Sequence, residues 1–274
     1  MCNKLAITKK NVIPLKLNPS FDSEVADESL YGMVLQLEEK LTDGWYKVKT
    51  HYDYEGFVHE NDMLIDDERA LEWSKMAEHY IIHNIADVMA EPKYQSYQLI
   101  TLVRGDFIHL TGKEEGRWCE VELIDKTKGW VQKEFCKKMP KFDLDKEEDV
   151  VRKSLLDIAF LYMGTQYRWG GKSTMGIDCS GFVSMAYMLN GIIIYRDARL
   201  KEEYMKSISI EEVKPGDALY FPGHIAMYIG DGKYIHSTGS SGRVVINSLN
   251  PEDEDYREDL HKSLYAVGTV FGRK

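Results

Sequence analysis

The chain of 274 residues is too long for one ordinary compact domain and suits two or three. Hydrophobic residues make up 43% and charged residues 29%, which predicts a globular, core-forming chain and not wholesale disorder. Lys and Arg total 35 against 45 Asp and Glu, and the resulting net charge of -10 excludes a general binder of nucleic acid or anionic membrane, because attraction to phosphate needs positive charge. No apolar run approaches the roughly 18 residues of a membrane span.

The N-terminal segment MCNKLAITKKNVIPLKL lacks the long apolar stretch of a secretory signal peptide. We therefore expect a cytoplasmic protein, with secretion as the alternative if a signal peptide was removed. The four cysteines, Cys2, Cys119, Cys136 and Cys179, are too few for a disulfide framework in a chain of this size. Cys2 is expected to be disordered together with the N-terminus.

An internal repeat organises the first half of the chain. Short alternating apolar runs, separated by turn signals such as Asp43-Gly44, occur twice and predict short antiparallel strands in a small barrel. Six residues recur at a constant offset of 73 positions: Gly32, Trp45, Val48, Gly56, Phe57 and Val58 match Gly105, Trp118, Val121, Gly129, Trp130 and Val131.

This pattern resembles bacterial SH3-like barrels, in which a turn Gly, a Gly-Trp pair and a closing Gly-Trp-Val follow in this order. The resemblance implies barrel one at residues 1–66, and a connector followed by barrel two at residues 67–140. The connecting text DDERALEWSKMAEH has no Gly or Pro and is predicted to be helical, with Trp73 as a packing residue.

The second half opens with two helical patterns. Residues 145–164 carry apolar side chains at helical spacing and end at a Gly. The next apolar run begins at Asp178-Cys179-Ser180-Gly181, so Cys179 is predicted in the first turn of a helix. Backbone N–H groups and the helix dipole at that position favour a thiolate, which predicts a depressed pKa and a nucleophilic role for Cys179. The alternative is a small buried hydrophobic residue.

Two histidines further along the chain could serve this nucleophile. The text from His224 to His236 reads as a strand, a Gly-Asp-Gly turn and a second strand. A three-residue loop over 230–232 places the two histidines on one face of the hairpin as diagonal neighbours, whereas a two-residue loop places them on opposite faces. The first geometry permits Cys179 to attack, His224 to take its proton and His236 to orient His224.

Residues 146–274 resemble the NlpC-type cysteine peptidases of bacterial cell-wall metabolism. The motifs that carry the resemblance, in the order and spacing of the family, are Tyr167-x-Trp169-Gly170-Gly171, Asp178-Cys179-Ser180-Gly181-Phe182, Pro215-Gly216-Asp217, His224-Ile225-Ala226, Tyr228-Ile229-Gly230 and Ile235-His236-Ser237. The resemblance implies an α+β chain in which two small SH3-like barrels precede a papain-like domain at residues 141–274, where a helix carrying Cys packs on an antiparallel sheet.

The same resemblance implies further roles near the nucleophile. Tyr167 is expected to help the oxyanion or the substrate, and the backbone N–H of Cys179 is the other natural oxyanion donor. Packing is the alternative interpretation of Tyr167 and the preferred interpretation of Trp169. Relatives often carry Arg-Asp-Ser after the catalytic helix, where this chain has Arg196-Asp197-Ala198, so one substrate contact is missing or replaced.

The domain order resembles the gamma-D-glutamyl-L-diamino acid endopeptidases of the dipeptidyl-peptidase VI type. In that subgroup the first barrel closes one end of the active-site cleft, which suits a short peptide with a free amino terminus. By resemblance, Asp178 and Ser180 line the pocket for the ammonium group, together with Glu24 and Tyr54 from barrel one. The alternatives are a solvated loop acid for Glu24 and a barrel-surface residue for Tyr54.

The sequence therefore predicts a cysteine endopeptidase that uses no metal or other cofactor. Its expected substrate is the murein stem peptide L-Ala-gamma-D-Glu-diamino acid, cut before Lys or diaminopimelate during cell-wall peptide recycling. A secreted peptidoglycan hydrolase, whose barrels hold intact wall, is the alternative within this class. A binding module with an inactive peptidase-like domain is the alternative from another class, and the intact Cys179, His224 and His236 argue against it.

Three remaining features are given no catalytic role, and the first, Cys119 and Cys136, is interpreted as structural. Cys119 and Cys136 have no helix start and no His beside them. Zinc at Cys179 and the two histidines would need a fourth ligand or an open position. The acidic run 251–259 is expected to be a solvated loop away from the cleft.

Overall fold

The chain divides into two compact units, Met1–Met139 and Pro140–Lys274. The structure is a computed structural model that describes residues 4–144 and 147–272, so Cys2 and the start of the predicted helix at 145–146 lie outside the described residues. In the described part of the chain, no helix is long and apolar enough to cross a membrane.

The N-terminal unit contains two antiparallel seven-stranded sheets. The strands of the first are β1 (Lys4–Thr8), β2 (Val12–Lys16), β3 (Val25–Leu30), β4 (Val34–Lys40), β5 (Trp45–Thr50), β6 (Glu55–His59) and β7 (Met63–Ile65). The strands of the second are β8 (His79–Ile81), β9 (Ile85–Met89), β10 (Gln98–Val103), β11 (Phe107–Glu115), β12 (Trp118–Glu122), β13 (Lys128–Gln132) and β14 (Cys136–Lys138). Short 3-10 turns precede β5, β7 and β14, at Thr42–Gly44, Glu60–Asp62 and Lys133–Phe135.

The two sheets are structural repeats. The spatial order is β3-β2-β6-β5-β4-β1-β7 in the first and β10-β9-β13-β12-β11-β8-β14 in the second, so each strand takes the place of the one seven before it. The repeated Trp45 and Trp118 are both buried, and the repeated Gly32 and Gly105 both have positive φ, at 78° and 97°. The predicted duplication is therefore confirmed, because residues at matching positions share the same burial, backbone conformation and place in the strand order.

Helix α1 (Asp67–Met76) connects the two barrels, as the sequence predicts. Its N-cap Asp66 accepts a hydrogen bond from the backbone N–H of Arg69 at 3.0 Å. Trp73 is fully buried and donates from Nε1 to the carbonyl of Gly32 at 2.9 Å, which confirms its packing role. The Arg69 side chain, also buried, donates to a carboxylate oxygen of Glu122 at 2.9 Å. One helix thus holds groups from both barrels.

The C-terminal unit is built around a six-stranded antiparallel sheet of order β17-β22-β18-β19-β20-β21. Its helices are α2 (Glu148–Phe160), α3 (Cys179–Met188) and α4 (Glu258–Ser263), and a 3-10 turn covers Ile210–Glu212. A small hairpin consists of β15 (Lys172–Ser173) and β16 (Gly176–Ile177). The main sheet consists of β17 (Lys206–Ile208), β18 (Ala218–Phe221), β19 (His224–Gly230), β20 (Lys233–Thr238), β21 (Arg243–Ser248) and β22 (Ala266–Thr269). This is the predicted helix-on-sheet α+β arrangement.

Helix α3 is the central element of this unit. Every one of its residues is buried, which is typical of a helix surrounded by protein on all sides, and it packs against β19 and β20. The Pro215-Gly216-Asp217 motif is hydrogen-bonded to this helix, because the Tyr187 hydroxyl of α3 donates to the Gly216 carbonyl. The Asp217 carboxylate in turn accepts a hydrogen bond from Arg152 of α2 at 3.0 Å. This motif therefore has a structural function.

The repeated Gly129 tests the packing of barrel two. A Cβ atom there would lie 2.5 Å from Val88 Cγ1 and 2.7 Å from Leu99 Cδ1, distances that require neighbouring atoms to move. We expect Gly129→Ala to lower the free energy of unfolding of the N-terminal unit by about 1–3 kcal/mol in urea denaturation. Glu115→Ala, at an exposed strand end, should change it by less than about 0.5 kcal/mol. Equal stability of the two variants would show that this contact is looser than described.

Candidate active site

Cys179 is the first residue of α3, and Asp178 is its N-cap. The Asp178 Oδ1 atom accepts a hydrogen bond from the backbone N–H of Gly181 at 2.5 Å and a second from the Ser180 hydroxyl at 3.2 Å. An N-cap carboxylate satisfies N–H groups that a helix leaves without internal partners. The local sequence thus fixes the position of the Cys179 backbone at the helix start.

Arg196 joins this network from the segment that follows α3. Its guanidinium, 2% exposed, donates to both carboxylate oxygens of Asp178 at 3.1–3.2 Å and to the Ser180 hydroxyl at 2.7 Å. A further hydrogen bond of 3.2 Å reaches the carbonyl of Gly170 in the Gly-rich loop. Arg196 therefore connects Asp178 and Ser180, a role that could not be predicted from the sequence. The one sequence feature that pointed to Arg196 was its place in the Arg196-Asp197-Ala198 segment.

The β19–β20 hairpin differs from the expected three-residue loop. The closing pair is Gly230 and Lys233, so the loop consists of Asp231 and Gly232, both with positive φ, at 52° and 72°. A bulge between Tyr228 and Gly230 then shifts the register by one residue. Because this extra residue reverses the face, the two histidines meet although the loop has two residues. The loop is one residue shorter than expected, but the expected placement of His224 and His236 on one face of the hairpin is confirmed.

His224 and His236 form one hydrogen-bonded line with a third side chain. Nε2 of His224 lies 2.7 Å from Nδ1 of His236, and Nε2 of His236 lies 2.9 Å from Oδ1 of Asn247 on β21. His236 is fully buried. Asn247 was not singled out from the sequence, because no local pattern connects it with a histidine eleven residues earlier.

Cys179, the predicted nucleophile, adjoins β19. Backbone N–H groups of Ile225, the residue after His224, and of Ser180 form hydrogen bonds to the Cys179 sulfur that lower its pKa. Burial has the larger, opposite effect and, with the nearby charge of Asp178, raises the pKa of the Cys179 thiol to about 11. The predicted depression of this pKa is therefore wrong, since desolvation of the thiolate outweighs the helix N-terminus.

Both histidines are uncharged at neutral pH. Burial lowers the pKa of His224 to about 3, with a further contribution from His236. Burial likewise lowers the pKa of His236 to about 4, although its hydrogen bond to Asn247 acts in the other direction. The resting site thus combines a neutral thiol with neutral imidazoles, so a proton has to move during attack and not before it.

Tyr167 responds electrostatically to Cys179, the predicted nucleophile, and Trp169 does not pack as expected. Burial raises the pKa of Tyr167 to about 12, and the charges of Cys179 and Asp178 add to the shift. The backbone of Tyr167 forms a bridge with Ile177, just before the N-cap of α3. Trp169 is 63% exposed, so its predicted packing role is wrong. It occupies a turn that ends at Gly170, whose φ is 72°.

The two residues predicted from barrel one differ in their surroundings. Glu24 is exposed at the end of a loop, where its carbonyl accepts from the N–H of Leu17 at 3.0 Å. Tyr54 is half-buried, and its hydroxyl donates to the carbonyl of Ala26 at 3.4 Å. A buried acid–tyrosine pair in the same barrel went unnoticed: the Tyr52 hydroxyl donates to the Asp27 carboxylate at 2.6 Å. The roles expected for Glu24 and Tyr54 stay predictions.

The other two cysteines among the described residues lie in barrel two. Cys119 and Cys136 are free thiols 3.9 Å apart that pack into or against its hydrophobic core. Within residues 4–144 and 147–272, no three His, Cys, Asp or Glu side chains form a group that could hold a metal ion. At the candidate site, Nε2 of His224 and Nδ1 of His236 are hydrogen-bonded to each other, so both nitrogens share one hydrogen.

Comparison with known proteins agrees with this architecture. Residues 164–259 match the NlpC/P60 family, residues 17–63 the bacterial dipeptidyl-peptidase Sh3 domain and residues 85–139 the variant SH3 domain. Among curated proteins, the chain is 40% identical to dipeptidyl-peptidase 6 of Lysinibacillus sphaericus, over 94% of this chain and 96% of that protein.

Two further similarities concern proteins of Bacillus cereus. A gamma-D-glutamyl-L-lysine dipeptidyl-peptidase is 36% identical over 35% of this chain and 31% of its own length. The crystal structure of an NlpC/P60 family protein superposes with a TM-score of 0.79, at 20% identity, over 97% of this chain and 99% of that one. The latter similarity supports the fold, with two SH3-like domains before the helix-and-sheet domain.

The raised pKa of Cys179 predicts how its alkylation depends on pH. Because only the thiolate reacts, the iodoacetamide rate at Cys179 should rise about tenfold per pH unit from pH 6 to 9, without a plateau. Peptide mass spectrometry would follow this site separately from Cys119 and Cys136. A rate that levels off below pH 7 would instead reveal a thiolate–imidazolium pair.

The lowered histidine pKa values predict a loss of stability in acid. In the unfolded chain these groups take up protons below about pH 6.5, whereas in the folded chain they resist protonation until about pH 3–4. Each should therefore lower the free energy of unfolding by up to about 1.4 kcal/mol per pH unit as the pH falls through that window. Urea denaturation at several pH values should give a shallower dependence for His236→Gln than for the natural chain. An unchanged dependence would contradict the assigned burial.

Proposed function

The chain belongs to the NlpC/P60 family of peptidases, and from that premise we propose that it hydrolyses the amide between gamma-D-Glu and the diamino acid of free murein stem peptides. The similarity that carries this proposal is the one to dipeptidyl-peptidase 6, which spans 94% of the chain at 40% identity. The substrate is then L-Ala-gamma-D-Glu followed by Lys or diaminopimelate, and the dipeptide L-Ala-gamma-D-Glu is released.

The geometry supports a thiol mechanism in which His224 acts as the base. The Cys179 sulfur attacks the carbonyl carbon of the scissile amide while the imidazole of His224 takes the thiol proton. The protonated His224 then donates to the departing amine of the diamino acid, which leaves an acyl-enzyme on Cys179. Water, deprotonated by His224, hydrolyses this thioester and restores the thiol.

The negative oxygen of the tetrahedral intermediates needs donors. The backbone N–H of Cys179 is at the start of α3, where such groups lack helical partners. The Tyr167 phenol, which is protonated at neutral pH and has a raised pKa, is the second donor in this proposal. Both donors belong to segments that meet at the Tyr167–Ile177 bridge, so one backbone contact aligns them.

The free amino terminus of the peptide is assigned to Asp178. Its Oδ1 atom already accepts from the Gly181 N–H, the Ser180 hydroxyl and Arg196, whereas Oδ2 accepts one hydrogen bond among the described residues, from Arg196 at 3.1 Å. A carboxylate oxygen has room for a second donor, so Oδ2 is the atom to which an ammonium group would bind. A buried ammonium needs such a partner, and an acetylated amine would lose it.

Cleavage of three substrates would test this proposal. We expect release of Lys from L-Ala-gamma-D-Glu-L-Lys, measured by mass spectrometry, and at least about 100-fold slower release from the N-acetylated peptide, because the blocked amine carries no charge for Asp178. Intact murein should release no dipeptide. Cys179→Ala should lower the rate by about 10⁴-fold or more, whereas Cys119→Ala, a matched change of another buried thiol, should retain activity.

The competing proposal is a secreted hydrolase of intact peptidoglycan. It draws on the 34% identity, over 36% of the chain, to the murein DD-endopeptidase MepS of Escherichia coli. Equal cutting of blocked peptide or of murein would favour this alternative and overturn the assignment of Asp178. A location in the cytoplasm, expected from the sequence, belongs to the recycling proposal, and immunoblotting of cell fractions would test it.

A further inference from the structure

Asn247 lies one hydrogen bond behind His236 and is held from the other side by the backbone. Its Nδ2 atom donates to the carbonyl of Asp255 at 2.8 Å, while its Oδ1 atom lies 2.9 Å from Nε2 of His236. The same Asp255 carbonyl accepts from the N–H of Ser248, at 3.1 Å, which ties the acidic segment to β21. The segment 251–259 thus contributes a backbone carbonyl, although its acidic side chains are largely solvated, as expected.

The direction of every hydrogen bond in this line follows from that carbonyl. A carbonyl oxygen only accepts, so the amide of Asn247 must turn its NH₂ group to Asp255 and its oxygen to His236. The oxygen only accepts as well, so Nε2 of His236 carries the hydrogen. In a neutral imidazole the other nitrogen is then an acceptor, and Nδ1 of His236 accepts from Nε2–H of His224 at 2.7 Å.

We propose that Asn247 is a positioning residue that sets the tautomer of both imidazoles and leaves the Nδ1 lone pair of His224 free as the base for Cys179. The catalytic part of this inference rests on the proposed function, whereas the tautomers do not. If the hydrogen of His224 were on Nδ1, this nitrogen could not take the thiol proton, and the neutral thiol of the resting site would stay protonated.

The neutral state of His236 is part of this arrangement. The groups that face it are the rings of Tyr234 and His224, each with its centroid 5.0 Å away, and Asn247, and the charges of Arg257 and Asp259 act on it from the segment after β21. A protonated His236 would carry hydrogen on both nitrogens and could no longer accept from His224. The hydrogen bonds from His224 to Asn247 therefore keep these directions only at a pH above the pKa of His236.

Histidine tautomers are measured without substrate. Selective ¹⁵N labelling of histidine, with assignment by His224→Gln and His236→Gln, distinguishes protonated from unprotonated ring nitrogens at pH 8. We expect hydrogen on Nε2 of both rings in the natural chain. Asn247→Leu removes the acceptor, so His236 should become a mixture of tautomers, and kcat should fall about 10- to 100-fold while KM changes little.

Two variants distinguish control of the tautomers by Asn247 from a purely structural contribution. Asn250→Leu, just before the acidic segment, removes the hydrogen bonds that the Asn250 side chain accepts from the Glu252 N–H and donates to Asp253, and should leave both the tautomers and kcat unchanged. Asn247→Asp keeps an oxygen toward His236, so the Nε2–H tautomer should persist at pH 9 and activity should exceed that of Asn247→Leu. Its added charge raises the pKa of His236, so the acidic limb of the pH–rate profile should move to higher pH.

Hydrogen on Nδ1 of His224 in the natural chain, or unchanged tautomers in a folded Asn247→Leu variant, would overturn the inference. Loss of activity with unchanged tautomers would reduce Asn247 to a structural residue. Correct tautomers that respond to Asn247→Leu, in a protein that cuts no stem peptide, would instead reject the proposed substrate and leave the tautomer assignment standing.

Discussion

The buried ion pair of Asp178 and Arg196 is the constraint on which the active site depends. Asp178 caps α3 and Arg196 holds both of its carboxylate oxygens, so the first turn of the helix, with Cys179, is fixed from two directions. A buried carboxylate without a cation would be costly, and so would a buried guanidinium without an anion. The segment after α3 must therefore return to the helix start, where Arg196 also reaches the Gly170 carbonyl.

Burial gives this site its electrostatic character. The thiol is 8% exposed and His236 fully buried, so the uncharged form of each group is favoured in the resting protein. In the proposed mechanism, charge appears only when Cys179 attacks and His224 accepts the proton, and Tyr167 and the helix start are the donors proposed for that charge. In the proposed hydrogen-bonded line from His224 to Asn247, each imidazole nitrogen is either a donor or an acceptor, and this fixes which nitrogen of His224 can take the thiol proton.

The N-terminal unit shows how one pattern supports two barrels with different interiors. Cys119 and Cys136 of barrel two occupy the positions of Tyr46 and Met63 in barrel one, and each pair contributes to its own core. The strand order is nevertheless the same. The repeated elements are those that set the backbone: glycines with positive φ at turns, and glycines such as Gly129 where another strand approaches too closely for a side chain.

The sequence by itself determined the repeat, the connecting helix, the helix start at Cys179 and the strand–turn–strand that carries the two histidines. These features follow from local periodicity, capping and turn residues, all of which act over a few positions. The α+β fold and the peptidase family were likewise recognisable from short motifs.

Only the tertiary structure decided the rest. The bulge before Gly230 brings His224 and His236 to one face, and no local signal distinguishes it from a longer loop. The direction of the Cys179 pKa shift depends on how much protein covers the sulfur, which the helix start alone does not reveal. Arg196 and Asn247 acquire their roles from partners up to 26 residues away. Burial and hydrogen-bond partnership are properties of atoms that meet only in the folded chain, whereas periodicity and capping are properties of neighbours along it.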